Sequence, residues 1–267
     1  MTPTKANLVV LGHRNWFRFA ASIQPTYFTS PMARENQLEK IERTKKIIAG
    51  LAKTYPDAHC ELDHSNPLQL LVATILSAQC TDKRVNLVTA TLFKQYPTAA
   101  AFAAAKTADL ENAIKSTGFF RNKARSIKAC CEALVQHHKG EVPNTMEALI
   151  KLGGVGRKTA NVVLGNAFGV NVGVVVDTHV ARLSNRMGLT REKAPEKIET
   201  ALMQIVPQPQ WAMFSHWLIW HGRRRCFART PDCARCEILA LCPRVGVKVS
   251  TLPKSPGKSR VPSSARA

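Results

Sequence analysis

No run of about 18 consecutive apolar residues occurs in the chain, so nothing in it is long and apolar enough to span a bilayer as a helix. Strand-like alternation is almost absent too. Val172–Val176 comes closest and is short, which argues against a sheet and for an all-α fold. Acidic residues are missing from both ends: all 18 lie between Glu35 and Glu237. No segment has the charged, apolar and small-residue zones of a secretory signal. Eight cysteines are therefore not read as a disulfide framework, and a reducing compartment is expected.

What is present is positive charge. The 267 residues carry 38 Lys and Arg against 18 Asp and Glu, a formal net charge of +20. Residues 1–34 and 244–267 hold four and six of the basic residues, so the body between them keeps 28 basic against 18 acidic. A basic body calls for a polyanionic partner and salt-dependent binding. Hydrophobic residues make up 45%, enough for a packed core. Residues 1–34 are read as a disordered extension. A start codon upstream of the natural one at Met32, or an Arg-rich transit peptide, would look the same. The Ser-, Pro- and Lys/Arg-rich tail 244–267 is read as disordered.

Helical patterns follow one another through the body: Glu35–Tyr55, Leu68–Ser77, Val85–Phe93, Ala99–Lys106, Asp109–Ser116, Arg121–His137, Met146–Leu152, Arg157–Ala167, Ala181–Met187, Pro195–Ile205 and Phe214–His221. Leu68–Ser77 is apolar all round, as a central buried helix is. Cys60, Cys80, Cys130 and Cys131 are read as core residues, and so are Trp217 and Trp220. The segment Gly118–Lys123 breaks two helices and puts Phe119 and Phe120 beside Arg121 and Lys123, where an aromatic at the loop tip could wedge into a base stack or both rings could pack inward.

The most informative stretch is Leu149–Asp177. A short helix breaks at Gly153-Gly154-Val155-Gly156, and a second helix starts at Arg157. Glycines permit positive φ and close approach to the backbone. A glycine turn opening a helix presents unpaired N–H donors to an anion, so the shape is a phosphate-gripping helix-hairpin-helix. Lys158 falls in the first turn, where the positive end of the dipole favours a neutral amine able to attack carbon. It reads equally as one more cation facing phosphate. Asp177 precedes a helix near Thr178, where a carboxylate serves as a cap whether or not it does chemistry.

Near the C-terminal end, Cys226, Cys233, Cys236 and Cys242 are spaced C-x6-C-x2-C-x5-C. Four thiolates so close need a cation, and soft ligands suit zinc or iron–sulfur. Spacing alone leaves both open. Arg225, Arg229 and Arg235 lie in the same loop.

Together, Gly-Val-Gly-Arg-Lys-Thr-Ala-Asn-Val-Val-Leu, then Val-Asp-Thr-His, then the four cysteines resemble the endonuclease III family of iron–sulfur DNA glycosylases with abasic-site lyase activity. The resemblance runs from about Leu38 to Pro243. It implies a two-domain fold, a six-helix barrel over 63–170 carrying the hairpin and a [4Fe–4S] cluster domain built from 35–62 and 171–243. It makes Lys158 the nucleophile, Asp177 the catalytic carboxylate and the four cysteines cluster ligands. DNA contacts would come from Gln79, which fills the hole left by an extruded base, from Phe119 where the family often has a leucine wedge, and from Gly154, Val155, Gly156, Arg157, Thr159, His179, Arg225 and Arg229. Gly153 stands where proline is more usual, which implies a looser turn. The implied substrate is double-stranded DNA with damaged pyrimidines or abasic sites, handled by a monomer in the nucleoid of a bacterium or the nucleus or mitochondrion of a eukaryote. Two rivals remain. An adenine glycosylase of the same superfamily would lack the lysine and carry a glutamate where the apolar Ile75 stands. A non-catalytic hairpin module would bind DNA without cutting it.

Overall fold

The computed structural model describes residues 35–248; the readings made for 1–34 and for the tail beyond 248 lie outside the described residues. Helix α1 (Gln37–Thr54) opens with a reciprocal box in which Asn36 Oδ1 accepts from the Glu39 N–H and Glu39 accepts from the Asn36 N–H. Helix α2 (Pro67–Leu76) starts on Asn66 with Pro67 in its first turn, where the missing N–H costs nothing. Helices α3 (Asp82–Gln95), α4 (Ala99–Ala104), α5 (Thr107–Ile114) and α6 (Phe120–His138) follow. Then come α7 (Met146–Leu149), α8 (Arg157–Ala167), α9 (Thr178–Arg186), α10 (Pro195–Met203) and α11 (Trp211–Arg224). The described residues contain no strand, and none of their helices is long and apolar enough to cross a membrane. Val172–Val176 forms no strand: the chain bends at Val172 and Gly173, and Val174, Val175 and Val176 are all buried.

Two clusters of buried side chains organise the packing. The first runs from Leu62 to Leu164 and surrounds α2, whose Leu70, Leu71, Ala73 and Leu76 are fully buried. The second joins Ile47, Ile48 and Leu51 of α1 to Val174–Ile238 of the later chain. Trp217 and Trp220 are buried there, and the Arg224 guanidinium lies 3.9 Å over the Trp220 ring.

Three sequence readings change. The helix expected over Met146–Leu152 stops at Leu149. Beyond it the Lys151 and Leu152 N–H groups reach back only three residues, to Ala148 and Leu149, tightening the chain into the glycine turn. The last helix is longer than expected, because Trp211 already packs in the second cluster and Arg224 still stacks on Trp220. Cys130 and Cys131 are buried as expected, but Cys60 and Cys80 are only partly covered.

Candidate active site

The glycine turn is built on α6. Gly154 has φ +76°, and a Cβ there would lie 2.5 Å from Ser126 Cβ, so only glycine fits. A Cβ on Gly153 would lie 2.9 Å from Ala129 Cβ. The glycine that departs from the family pattern thus lets the turn settle closely onto α6, rather than loosening it. Val155 is buried in the first cluster and its N–H donates to the Leu152 carbonyl at 3.2 Å. Val155 therefore anchors the turn through its side chain. Gly156 caps α8 with no side chain to offer, and the first bond of the helix is Ala160 N–H to Gly156 carbonyl at 3.0 Å. The N–H groups of Arg157, Lys158 and Thr159 accordingly face outward at the positive end of the helix.

Lys158 and Asp177 line one cleft of about 690 Å³, together with Thr74, Ser77, His216 and Trp220. Asp177 is the N-cap of α9, as its place before Thr178 leads one to expect. Its Oδ1 accepts from the N–H groups of His179 (2.9 Å) and Val180 (2.8 Å), and its Oδ2 lies 2.9 Å from His179 Nδ1. Burial opposes ionisation of this carboxyl, but the His179 ring, the Val180 N–H and the charge of Lys158 outweigh it and hold the pKa below the ordinary carboxylate value. Asp177 is therefore an anion at neutral pH. His179 is turned toward Asp177, which it orients.

Two arginines form ion pairs with distant carboxylates, and of the two Arg223 lines this cleft. Arg157 donates to Glu199 on α10 through Nε (2.9 Å) and Nη2 (3.0 Å), a bidentate fork. Glu199 is nearly buried and also accepts from Asn161 Nδ2 at 2.9 Å, one turn further along α8. Arg157 is thus paired with a carboxylate while its side chain stays half exposed. Arg223 bridges Glu61 and Asp82, the latter at 2.6 Å. Sequence reading singled out neither Glu199 nor Arg223: their partners lie 42 and 141 residues away, and no local pattern marks such pairs.

Gln79 and Phe119 both have left-handed backbone, φ 53° and 49°. Phe119 is 63% exposed, while Phe120 packs against the first cluster. The two loops border one cleft of about 670 Å³ with Gly154 and Thr159, beside the hairpin turn.

The four late cysteines ring a cavity of about 380 Å³. Burial raises the thiols of Cys233, Cys236 (to about 11) and Cys242, and the neighbouring sulfurs raise them further. Four sulfurs so placed ionise together only around a cation, and they surround a volume rather than a point. Cys226 Sγ accepts from Arg186 Nη1 at 3.4 Å, and Cys236 Sγ lies 3.6 Å from His221 Nε2, whose Nδ1 meets the Tyr55 hydroxyl at 3.0 Å. Burial pushes His221 down to about 4, so its ring is neutral and carries one N–H between those two partners. Arg225 forms ion pairs with Asp232 (2.9 Å) and Glu237 (2.7 Å). It braces the cysteine loop from within. Arg229 is exposed in the same loop.

The family model described as HhH-GPD superfamily base excision DNA repair protein matches residues 72–208. Endonuclease III of Synechocystis sp. is 54% identical over 204 residues, covering 76% of this chain and 93% of the relative. A solved non-covalent endonuclease III–DNA complex matches with TM-score 0.73 and 45% identity, over 76% of this chain and 95% of the other. A trapped endonuclease III–DNA covalent intermediate, an estranged-adenine complex, matches with the same TM-score and identity, over 76% and 96%.

Two outcomes test this geometry. Arg157→Ala leaves the nearly buried Glu199 short of its main partner and should lower stability by about 1–2 kcal/mol in denaturant unfolding; an unchanged midpoint would show that the fork is idle. The depressed Asp177 carboxyl contributes stability that is complete above its unfolded pKa of about 3.9 and is lost as pH falls through the lower folded value. Asp177→Asn should flatten the acid limb of the melting-temperature profile below about pH 4 and leave its slope near neutrality unchanged.

Proposed function

This chain belongs to the endonuclease III branch of the HhH-GPD superfamily of base excision DNA repair proteins, so it acts on DNA as a glycosylase and abasic-site lyase, and we propose which residues carry each step. The observation that carries the assignment is the shared cleft of Lys158 and Asp177 beside an uncapped helix start. A base in a duplex is out of reach of any side chain, so it must first be extruded. The outward N–H groups of the α8 first turn, with Gly154 and Gly156, hold the backbone phosphates. Gln79 and Phe119 occupy the gap left in the stack. Lys158, as the neutral amine, attacks the anomeric carbon of the sugar, and the C–N bond to the damaged base breaks with the electron pair leaving on the base. Ring opening then yields a Schiff base. Its positive charge acidifies the C2′ protons, and loss of one expels the 3′ phosphate. Asp177, held ionised by its caps and by His179, stabilises the cationic sugar. The substrates we assign are oxidised or ring-damaged pyrimidines and abasic sites.

The four cysteines are assigned to a [4Fe–4S] cluster. What supports this reading is that all four thiols line one cavity, and that their C-x6-C-x2-C-x5-C spacing has only one close pair where a zinc site usually has two. When bound, the cluster supplies a rigid cross-link that binds the four thiolates. Arg186 and Arg225 brace the loop, and Arg229 is left to meet phosphate. The two hydrophobic clusters support the division into a barrel over 63–170 and a cluster domain from 35–62 and 171–243. The site of action is a DNA-containing compartment.

Borohydride reduction of protein mixed with duplex DNA bearing an abasic site or thymine glycol should leave a covalent adduct. The adduct should vanish in Lys158→Ala while DNA affinity stays within about threefold, a loss of one phosphate-facing cation at most; an adduct surviving in that variant would move the nucleophile elsewhere. Purified protein should be brown and contain about four iron atoms per chain. Colourless protein with one stoichiometric zinc would overturn the cluster assignment.

A further inference from the structure

Lys123 is a cation where none is required by the chemistry just described. It lies on α6, is 5% exposed, and donates Nζ to the Leu76 carbonyl at 2.8 Å and the Thr117 carbonyl at 2.8 Å. No carboxylate is paired with it among the described residues. Burial pulls its ammonium below the ordinary lysine value, with the nearby Cys80 acting the other way. A buried cation held by two neutral acceptors is costly to maintain. An apolar side chain of the same length would fill the space more cheaply unless the two bonds matter.

What the two bonds join is informative. Leu76 is the last residue of α2, and Gln79 follows three residues later with φ 53°. Thr117 ends the 3-10 turn Lys115–Thr117, and Phe119 follows two residues later with φ 49°. Neither is glycine, and a left-handed non-glycine residue is strained unless its surroundings hold it there. Both side chains project into the cleft beside the hairpin turn, and Lys123 lines the same cleft. One ammonium thus pins the two segments from which the gap-filling residues emerge.

We propose that Lys123 is a positioning residue for base extrusion: it locks the Gln79 and Phe119 loops into one rigid unit, so that both side chains enter the base stack together. The inference rests on the gap-filling reading of Gln79 and Phe119 given above. Preorganisation is worth most in the step that opens the duplex and nothing in a step that needs no opening. Lys123 touches neither sugar nor base, so Lys158 should still react normally once an abasic site is accessible.

The test compares three substrates: a duplex with thymine glycol, a duplex with 2-aminopurine beside the lesion to report unstacking, and a single-stranded abasic oligonucleotide. Lys123→Met should slow the 2-aminopurine fluorescence rise and the duplex kcat by about tenfold or more, as misplaced groups do. It should leave KM for duplex and borohydride trapping on the single strand within about twofold of wild type. If Lys123→Met fails to fold, Lys123→Gln, which keeps an amide donor for the same carbonyls, is read in the same way and should fall between the two. Normal extrusion in the folded variant overturns the inference. So does equal loss of single-strand trapping, which marks general damage to the fold. Gln79→Ala and Phe119→Ala are run alongside. If they extrude normally while Lys123→Met does not, the gap-filling reading falls and the inference with it. If they are slowed and Lys123→Met is not, only the role of Lys123 is lost.

Discussion

Two arginine forks set the shape of the reacting cleft. Arg157 on α8 grips Glu199 on α10, and Arg223 on α11 grips Glu61 and Asp82 near the start of α3. Each ties a residue packed with one hydrophobic cluster to a residue packed with the other. They add to a direct seam between the clusters, where Gly165 of α8 lets Ala212 of α11 approach closely and His216 bonds Asn166. Lys158 is the next residue after Arg157, so the direction in which its amine points is set partly by a carboxylate on another helix. A lysine on a freely rotating helix end would lose much of the benefit of proximity.

Asp177 shows how one group answers two demands. Capping a helix needs a carboxylate that accepts N–H bonds, and stabilising a cationic sugar needs one that stays ionised. The same hydrogen bonds meet both needs, because they lower the pKa while they satisfy α9. The helix dipole then contributes to the site, since the carboxylate rests at a positive helix end. Stability and chemistry are not opposed at this residue, although they often are at active sites.

Local signals were legible in the sequence where the physics is local. The bounds of α8 follow from Gly156 before it and the apolar stripe within it. The start of α2 follows from Asn66-Pro67, and the glycine turn and the cysteine spacing are readable from residue type and spacing, whereas Lys158 and Asp177 stand out only once the motifs are read together. What escaped depends on partners far away in the chain. Arg157 and Arg225 looked like phosphate contacts because a sequence shows the charge but not its counter-ion; both are held by carboxylates. Val155 sits in the middle of the motif, yet points into the core. The helix over Met146–Leu152 was overestimated because its apolar residues keep helical spacing while the chain is already winding into tighter three-residue turns.

The second hydrophobic cluster draws on both ends of the described chain: Ile47, Ile48 and Leu51 from α1, Tyr55 and Ala58 just after it, and then no buried member until Val174. A ribosome delivers those segments far apart in time, at about 5–20 residues per second. Helix α1 emerges with a greasy stripe and must wait several seconds for its partners, while the intervening segment can already collapse around α2. Its reciprocal cap and charged outer face keep it helical and dissolved meanwhile. The nascent chain is therefore most vulnerable to aggregation in the interval between completion of the first cluster and arrival of α11.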